Sequence, residues 1–253
     1  MAELHDGDSP DATAMASEPD VAVVTESVTY GEVDGAALNG YMALPEAQVS
    51  AALPGVILIH EWWGLNDNIK TTARRLAGEG YRVLAVDLYR GRVAETGDLA
   101  RQYMADAVAN PQHAMTNIRS ANAFLRENHD APGVGVMGWC FGGGQAANAM
   151  VAMPASLDAT VIYYGNLPTD RTALAAVESP VLGFFGSADS GIPVDGVRAF
   201  ESTMDELGKD IEVTVYEGAG HAFANPSGQS YDGDAAADAW AKTLRFLEAN
   251  LKG

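Results

Sequence analysis

Cysteine occurs once in these 253 residues, at Cys140. A lone thiol can make neither an internal disulfide nor a multi-cysteine metal site, so a reducing, cytoplasmic compartment is expected. Lysine is almost as scarce: Lys70, Lys209, Lys242 and Lys252 are the full set. With 34 acidic residues against 15 basic ones, the formal net charge is −19. Nucleic acid and anionic membranes would be repelled and are excluded as partners. No apolar run nears the roughly 20 residues that cross a bilayer. Residues 1–20 also lack the basic start and apolar stretch of a secretory signal. Acidic, lysine-poor chains occur in high-salt cytoplasm, where dense ions screen self-repulsion, and also as ordinary acidic bacterial proteins. Salt-dependent stability separates the two.

What is present is a regular alternation of strand and helix signals. The chain is 47% hydrophobic, enough to bury a core as one α/β domain. Residues 1–20, rich in Asp, Ala, Ser and Glu without periodicity, read as a disordered acidic tail, and residues 21–253 as a single domain. Extended runs at 21–33 and 38–44 flank Asp34-Gly35, a hairpin turn signal. Residues 54–60 form a continuous apolar run typical of a central strand. A helix is predicted over 66–80, with Asn66 or Asp67 as cap and Gly78 or Gly80 near its end. Further strands are predicted at 82–88, 133–137, 159–164, 180–185 and 211–216. Helical signals fall at 96–110, 112–128, 145–152, 169–177, 194–207 and 235–251, with Pro111 breaking the first pair. This order implies a mostly parallel sheet flanked by helices, with an N-terminal antiparallel hairpin.

The sharpest motif is Gly138-Trp139-Cys140-Phe141-Gly142-Gly143-Gly144, between a predicted strand and a small-residue helix. That context lifts a nucleophile clear of a sheet, and here the nucleophile is a thiol. Three more groups fall just beyond predicted strands: Glu61, Asp189 and His221. Nucleophile, acid, histidine is the chain order of an α/β-hydrolase triad. A thiol becomes strongly nucleophilic once a base takes its proton. Neutral imidazole is that base, and a carboxylate on its other nitrogen sets the tautomer. Cysteine is also a common small core residue, but a packing role needs no glycines on both sides. Asp195 is the nearest rival to Asp189, and among the other histidines His60, ending a buried strand, reads as a structural hydrogen-bonder. Backbone amides of Phe141 and Trp62 would form the oxyanion hole. Glu61, if it contacts Cys140, opposes thiolate formation. It is either a loop hydrogen-bonder or a gate on the thiol.

These residues resemble the dienelactone hydrolases (carboxymethylenebutenolidases). The likeness runs from about Pro54 to the C-terminus. It rests on His60-Glu61-Trp62-Trp63-Gly64, Asp87-Leu88-Tyr89, the Cys140 motif, Tyr163-Tyr164-Gly165, Gly186-Ser187-Ala188-Asp189 and Gly220-His221-Ala222-Phe223. The resemblance implies an α/β-hydrolase fold, a Cys140–His221–Asp189 triad and a Glu61 that holds the resting thiol and swings away on substrate binding. It implies no metal and no organic cofactor. Members that open dienelactone hold its carboxylate with two arginines, at positions that here carry Gly91 and Asn225. Arg90 and Arg92 flank the first position, and no arginine lies near the second. Asn cannot supply the charge of a bidentate clamp, which points to another lactone or a small carboxylic ester as substrate. Trp62, Trp63, Tyr89 and Phe223 either wall an apolar pocket or pack the core.

Overall fold

Residues 23–45 fold as the predicted hairpin. Strand β1 (Val23–Val33) pairs antiparallel with β2 (Ala36–Pro45) across Asp34 and Gly35, whose φ angles of 52° and 75° suit a two-residue turn. The computed structural model describes Asp8 and residues 18–253. The tail expectation falls mostly outside these residues. Among those described, Asp8 accepts a hydrogen bond from the Gln229 amide at 2.8 Å, and Glu18 accepts one from Arg74 Nε at 2.7 Å.

The continuous apolar runs become β3 (Gly55–Ile59), β4 (Arg82–Val86) and β5 (Val134–Trp139), each buried along its whole length. Strands β6 (Ala159–Tyr163), β7 (Val181–Gly186) and β8 (Ile211–Tyr216) extend the sheet. The order is β1-β2-β4-β3-β5-β6-β7-β8, antiparallel from β1 to β4 and parallel from β4 to β8. Full burial follows from helices covering both faces, which is why these strands read as unbroken apolar runs.

The connections are α1 (Asp67–Gly78), α2 (Gly97–Val108), α3 (Pro111–Ala123), α4 (Phe141–Ala152), α5 (Arg171–Ala175), α6 (Val194–Glu206) and the C-terminal α7 (Gly233–Leu251). From β3 the chain steps one way across the sheet to β4; from β4 onward it steps the other way. Right-handed crossovers therefore place α1 on one face and α3 to α6 on the opposite one. The α7 helix joins α1, the guanidinium of Arg75 lying 4.4 Å from the ring centre of Trp240.

Local chemistry settles the choices that periodicity left open. Asn66, not Asp67, caps α1, its side chain accepting from the Ile69 amide at 3.3 Å, a contact worth about 1 kcal/mol. Gly80 adopts φ 92° just past the helix end. Pro111 occupies the first turn of α3, where its missing N–H costs nothing, and a π turn at 124–128 closes that helix. Helix α4 starts at Phe141, ahead of the predicted 145. Its glycines disfavour a helix by roughly 1 kcal/mol each in isolation, and close packing against β5 and β6 overrides that.

Candidate active site

The connections leave β3 and β5, parallel neighbours in the sheet, in opposite directions across it, toward β4 and toward β6. Connections that diverge from adjacent strands leave a crevice at their carboxyl ends. Register Ile59↔Gly138 brings Glu61 and Cys140, each two residues further on, to that same edge.

Cys140 joins β5 to α4 with φ 53° and ψ −115°, a conformation strained for any residue with a Cβ. Its amide donates to Tyr163 O at 3.0 Å and its carbonyl accepts from Gly144 N at 3.1 Å, which fixes the turn. Glycine is required on both sides. A Cβ on Gly138 would stand 2.3 Å from Gly142 O, and one on Gly142 would stand 2.3 Å from Ile59 O. The thiol is buried, and the Phe141 N–H donates to its sulfur. Burial first, then the neighbouring Glu61 charge, pushes the thiol well above its ordinary value.

Past the ends of β7 and β8, His221 Nδ1 meets Asp189 Oδ2 at 2.7 Å, with both side chains buried. The loops that carry them are tied together, Ala188 N donating to Ala219 O at 2.9 Å and Ser187 N to Tyr216 O at 2.9 Å. Asp189 Oδ1 accepts from the amides of Gly191 at 2.8 Å and Ile192 at 3.0 Å. Burial would raise this carboxyl, but the His221 bond and the two amides outweigh it and hold it below the usual carboxylate range. Asp189 is thus a charged acceptor for Nδ1–H, and with the proton on Nδ1 the imidazole carries its lone pair on Nε2.

Glu61 is buried, with Tyr164 OH donating to Oε1 at 3.3 Å and Asn225 Nδ2 donating to Oε2 at 2.8 Å. Burial and the charge of Asp8 raise its carboxyl to about 8 despite the Tyr164 bond. Near neutral pH the carboxyl therefore keeps its proton. Tyr164 is the Glu61 partner to which sequence reasoning gave no role. It adopts φ 38° at the end of β6 and sits edge-on to His221, ring centres 5.3 Å apart. The Tyr163-Tyr164-Gly165 run was its only signal. His60 is fully buried, donating from Nδ1 to Glu61 O at 2.6 Å and accepting from Leu88 N at Nε2, 3.2 Å away. Burial lowers its pKa, and these two bonds select a neutral ring, as its structural reading requires.

The remaining candidates divide. Phe141 opens α4 beside the thiol, and Trp62 lies in the 61–64 turn closed by Gly64 N donating to Glu61 O at 3.3 Å. Tyr89 is buried against Phe141 and His60, with centroids 5.5 and 4.5 Å apart. Phe223 packs on Tyr164 at 5.3 Å. Trp63 stacks on Trp62 in a separate cluster with Ala94 and Ala100. Arg90 donates to His113 Nδ1 at 3.0 Å, and Arg92 pairs with Asp106 at 3.1 Å and covers the Tyr103 ring. Asn225 is turned to Glu61. Among the described residues, no His, Cys, Asp and Glu cluster could hold a metal. A cavity of about 340 Å³ opens from Glu61, Tyr164 and Asn225 down between α1 and α7.

An eight-stranded, mostly parallel sheet with helices on both faces, entered by an antiparallel hairpin, is an α/β-hydrolase fold. Residues 38–251 match the profile of the dienelactone hydrolase family. A protein of Saccharolobus solfataricus provisionally named carboxymethylenebutenolidase is 32% identical, over 88% of this chain and 98% of its own. Protein usf of Aquifex pyrophilus is 34% identical, over 87% and 96%. The crystal structure of a provisionally assigned dienelactone hydrolase from Klebsiella pneumoniae superposes with a TM-score of 0.74 at 26% identity, over 89% of this chain and 98% of that one. The chain belongs to the dienelactone hydrolase family.

Proposed function

We propose that this hydrolase cleaves lactones or small carboxylic esters through an acyl-enzyme on Cys140. The reading rests above all on the buried 2.7 Å bond between His221 and Asp189, past the ends of β8 and β7, on the same sheet edge as a thiol held in a strained strand–helix turn at the end of β5. As the thiol adds to the substrate carbonyl, its proton passes to His221 Nε2 and an S–C bond forms. Asp189 steadies the imidazolium. The amides of Phe141 and Trp62 take the oxyanion. Collapse breaks the C–O bond, and the leaving alkoxide receives the proton from His221. Water, deprotonated by the same imidazole, then splits the thioester and restores the thiol.

Glu61 is the gate on this cycle. Near neutral pH its proton leaves Cys140 without a facing charge; once Glu61 ionises, that charge opposes the thiolate, so attack needs the carboxyl neutral or displaced. No group in this scheme needs a metal or an organic cofactor. The site takes a small molecule; no membrane-spanning helix occurs among the described residues.

Turnover of p-nitrophenyl butyrate and of simple lactones, lost by at least about a thousandfold in Cys140→Ala, is the expected result. Intact mass after brief ester exposure should show one added acyl group on the wild type and none on the variant. Full activity in Cys140→Ala would overturn the mechanism. Ligand binding with neither turnover nor acylation in the wild type would replace it with a non-catalytic binding role.

A further inference from the structure

Five arginines of this chain are at least partly buried, and four of them donate hydrogen bonds to described residues. Arg74 bonds Glu18, Arg92 bonds Asp106, Arg126 bonds Asp158, and Arg82 bonds His129 and two carbonyls. Arg75 is different. Its guanidinium lies on the face of Trp240 and donates no hydrogen bond to any described residue. Glu79 acts on it electrostatically without forming an ion pair, and burial dominates, lowering its pKa. In a chain of net charge −19, an unpaired, partly buried cation is conspicuous.

Arg75 faces the 340 Å³ cavity that opens from Glu61. Seven residues earlier on α1, Asn68 lines the same cavity. Its Nδ2 donates to Ser227 at 2.7 Å, while its Oδ1 is buried with no hydrogen-bond partner among the described residues. Seven residues are two helical turns, so the two groups share one face about 10 Å apart along the axis. The walls of the same cavity include Trp139, Ala236 and Trp240. The cavity thus offers a cation, an acceptor about 10 Å from it and apolar wall residues, within the volume range of small-molecule sites.

We propose that the cavity between α1 and α7 binds a small hydroxycarboxylic acid, its carboxylate on Arg75, its hydroxyl donating to Asn68 Oδ1 and its chain against Trp139 and Trp240. A guanidinium presents a fork of donors matched to a carboxylate. The hydroxyl is required because Asn68 Oδ1 can only accept. One cation suits a monovalent acid, and the apolar walls favour an organic ion over an inorganic one. Hydroxy acids are also what lactone opening releases, so the identity of the ligand class, though not the site, gains from the proposed function. The site adjoins the Glu61 gate and does not include Cys140.

The test is a tryptophan-fluorescence titration of the full chain, since Trp139 and Trp240 wall the site. Sodium 6-hydroxyhexanoate is the probe, with hexanoate and 6-hydroxyhexanamide as controls. Saturable binding of the probe is expected, at least about tenfold weaker for the neutral amide and severalfold weaker for hexanoate. Arg75→Gln should weaken the probe about tenfold, with Arg75→Lys in between. Cys140→Ala should leave affinity unchanged, which keeps this result separate from any failure of the hydrolase reading. Ala236→Leu, which fills the cavity but keeps Arg75, should also weaken binding and covers the case in which Arg75→Gln fails to fold. No saturable binding by the wild type, amide binding equal to acid, unchanged affinity on filling the cavity, or loss in Cys140→Ala would each overturn the proposal.

Discussion

Replacing Glu61 with Gln keeps the side-chain shape and removes a buried titratable group. The carboxyl moves from an ordinary 4.5 to about 8 on folding. Between those values the native state binds more protons than the unfolded chain, so stability must fall as pH rises through that window. Each pH unit is worth about 1.36 kcal/mol, so the loss reaches roughly 3 kcal/mol by pH 7 and roughly 5 kcal/mol above pH 9. Glu61 is buried, so solvent screening does not discount these figures. In Glu61→Gln that pH-dependent loss disappears. Urea unfolding of both proteins at pH 5, 7 and 9, at fixed salt, reads the difference directly. At pH 5 the difference should be only about 1 kcal/mol, because that pH lies just above the unfolded value of 4.5. Toward pH 9 the variant should be the more stable by several kcal/mol. Parallel stability curves would mean that Glu61 keeps its charge in the fold, and the account of a neutral resting gate would fail.

Two further outcomes follow from the same geometry. Asp189→Asn removes the charged acceptor of His221 Nδ1–H and should lower kcat by roughly 10³–10⁴-fold, with little change in KM, measured on a p-nitrophenyl ester; a loss below tenfold would pass the acid role to another residue such as Asp195. The net charge of −19 should make stability depend on salt. Molar KCl is expected to raise the unfolding midpoint well above its low-salt value by screening self-repulsion, and identical midpoints would remove the high-salt reading.

Most of the fold was legible because its signals are local. Residues 54–60 and 82–88 read as central strands because unbroken apolar runs survive only where both sheet faces are covered. Asp34-Gly35 announced its turn through a positive-φ requirement that few residue pairs meet. The α4 start was missed because glycines argue against a helix locally, whereas at 142–144 they let it press against neighbouring backbone. The Cys140, Asp189 and His221 positions were legible for a related reason: a parallel sheet brings every strand's carboxyl end to one edge, so residues just past strands converge there whatever their separation in sequence.

What the sequence determined by itself was therefore the strand–helix order, the thiol at a glycine-flanked turn and the presence of an acid and a histidine at later strand ends. Each is a property of a short stretch, carried by burial pattern or backbone permissiveness. Tertiary structure alone decided which charges meet. Glu61 and Asn225 are 164 residues apart, yet they share a 2.8 Å hydrogen bond. Arg75 meets no carboxylate among the described residues because α7 lays Trp240 against it instead. Burial, and hence whether a carboxyl holds its proton or a guanidinium lacks an anion, is set by atoms from distant segments, and no local pattern encodes that.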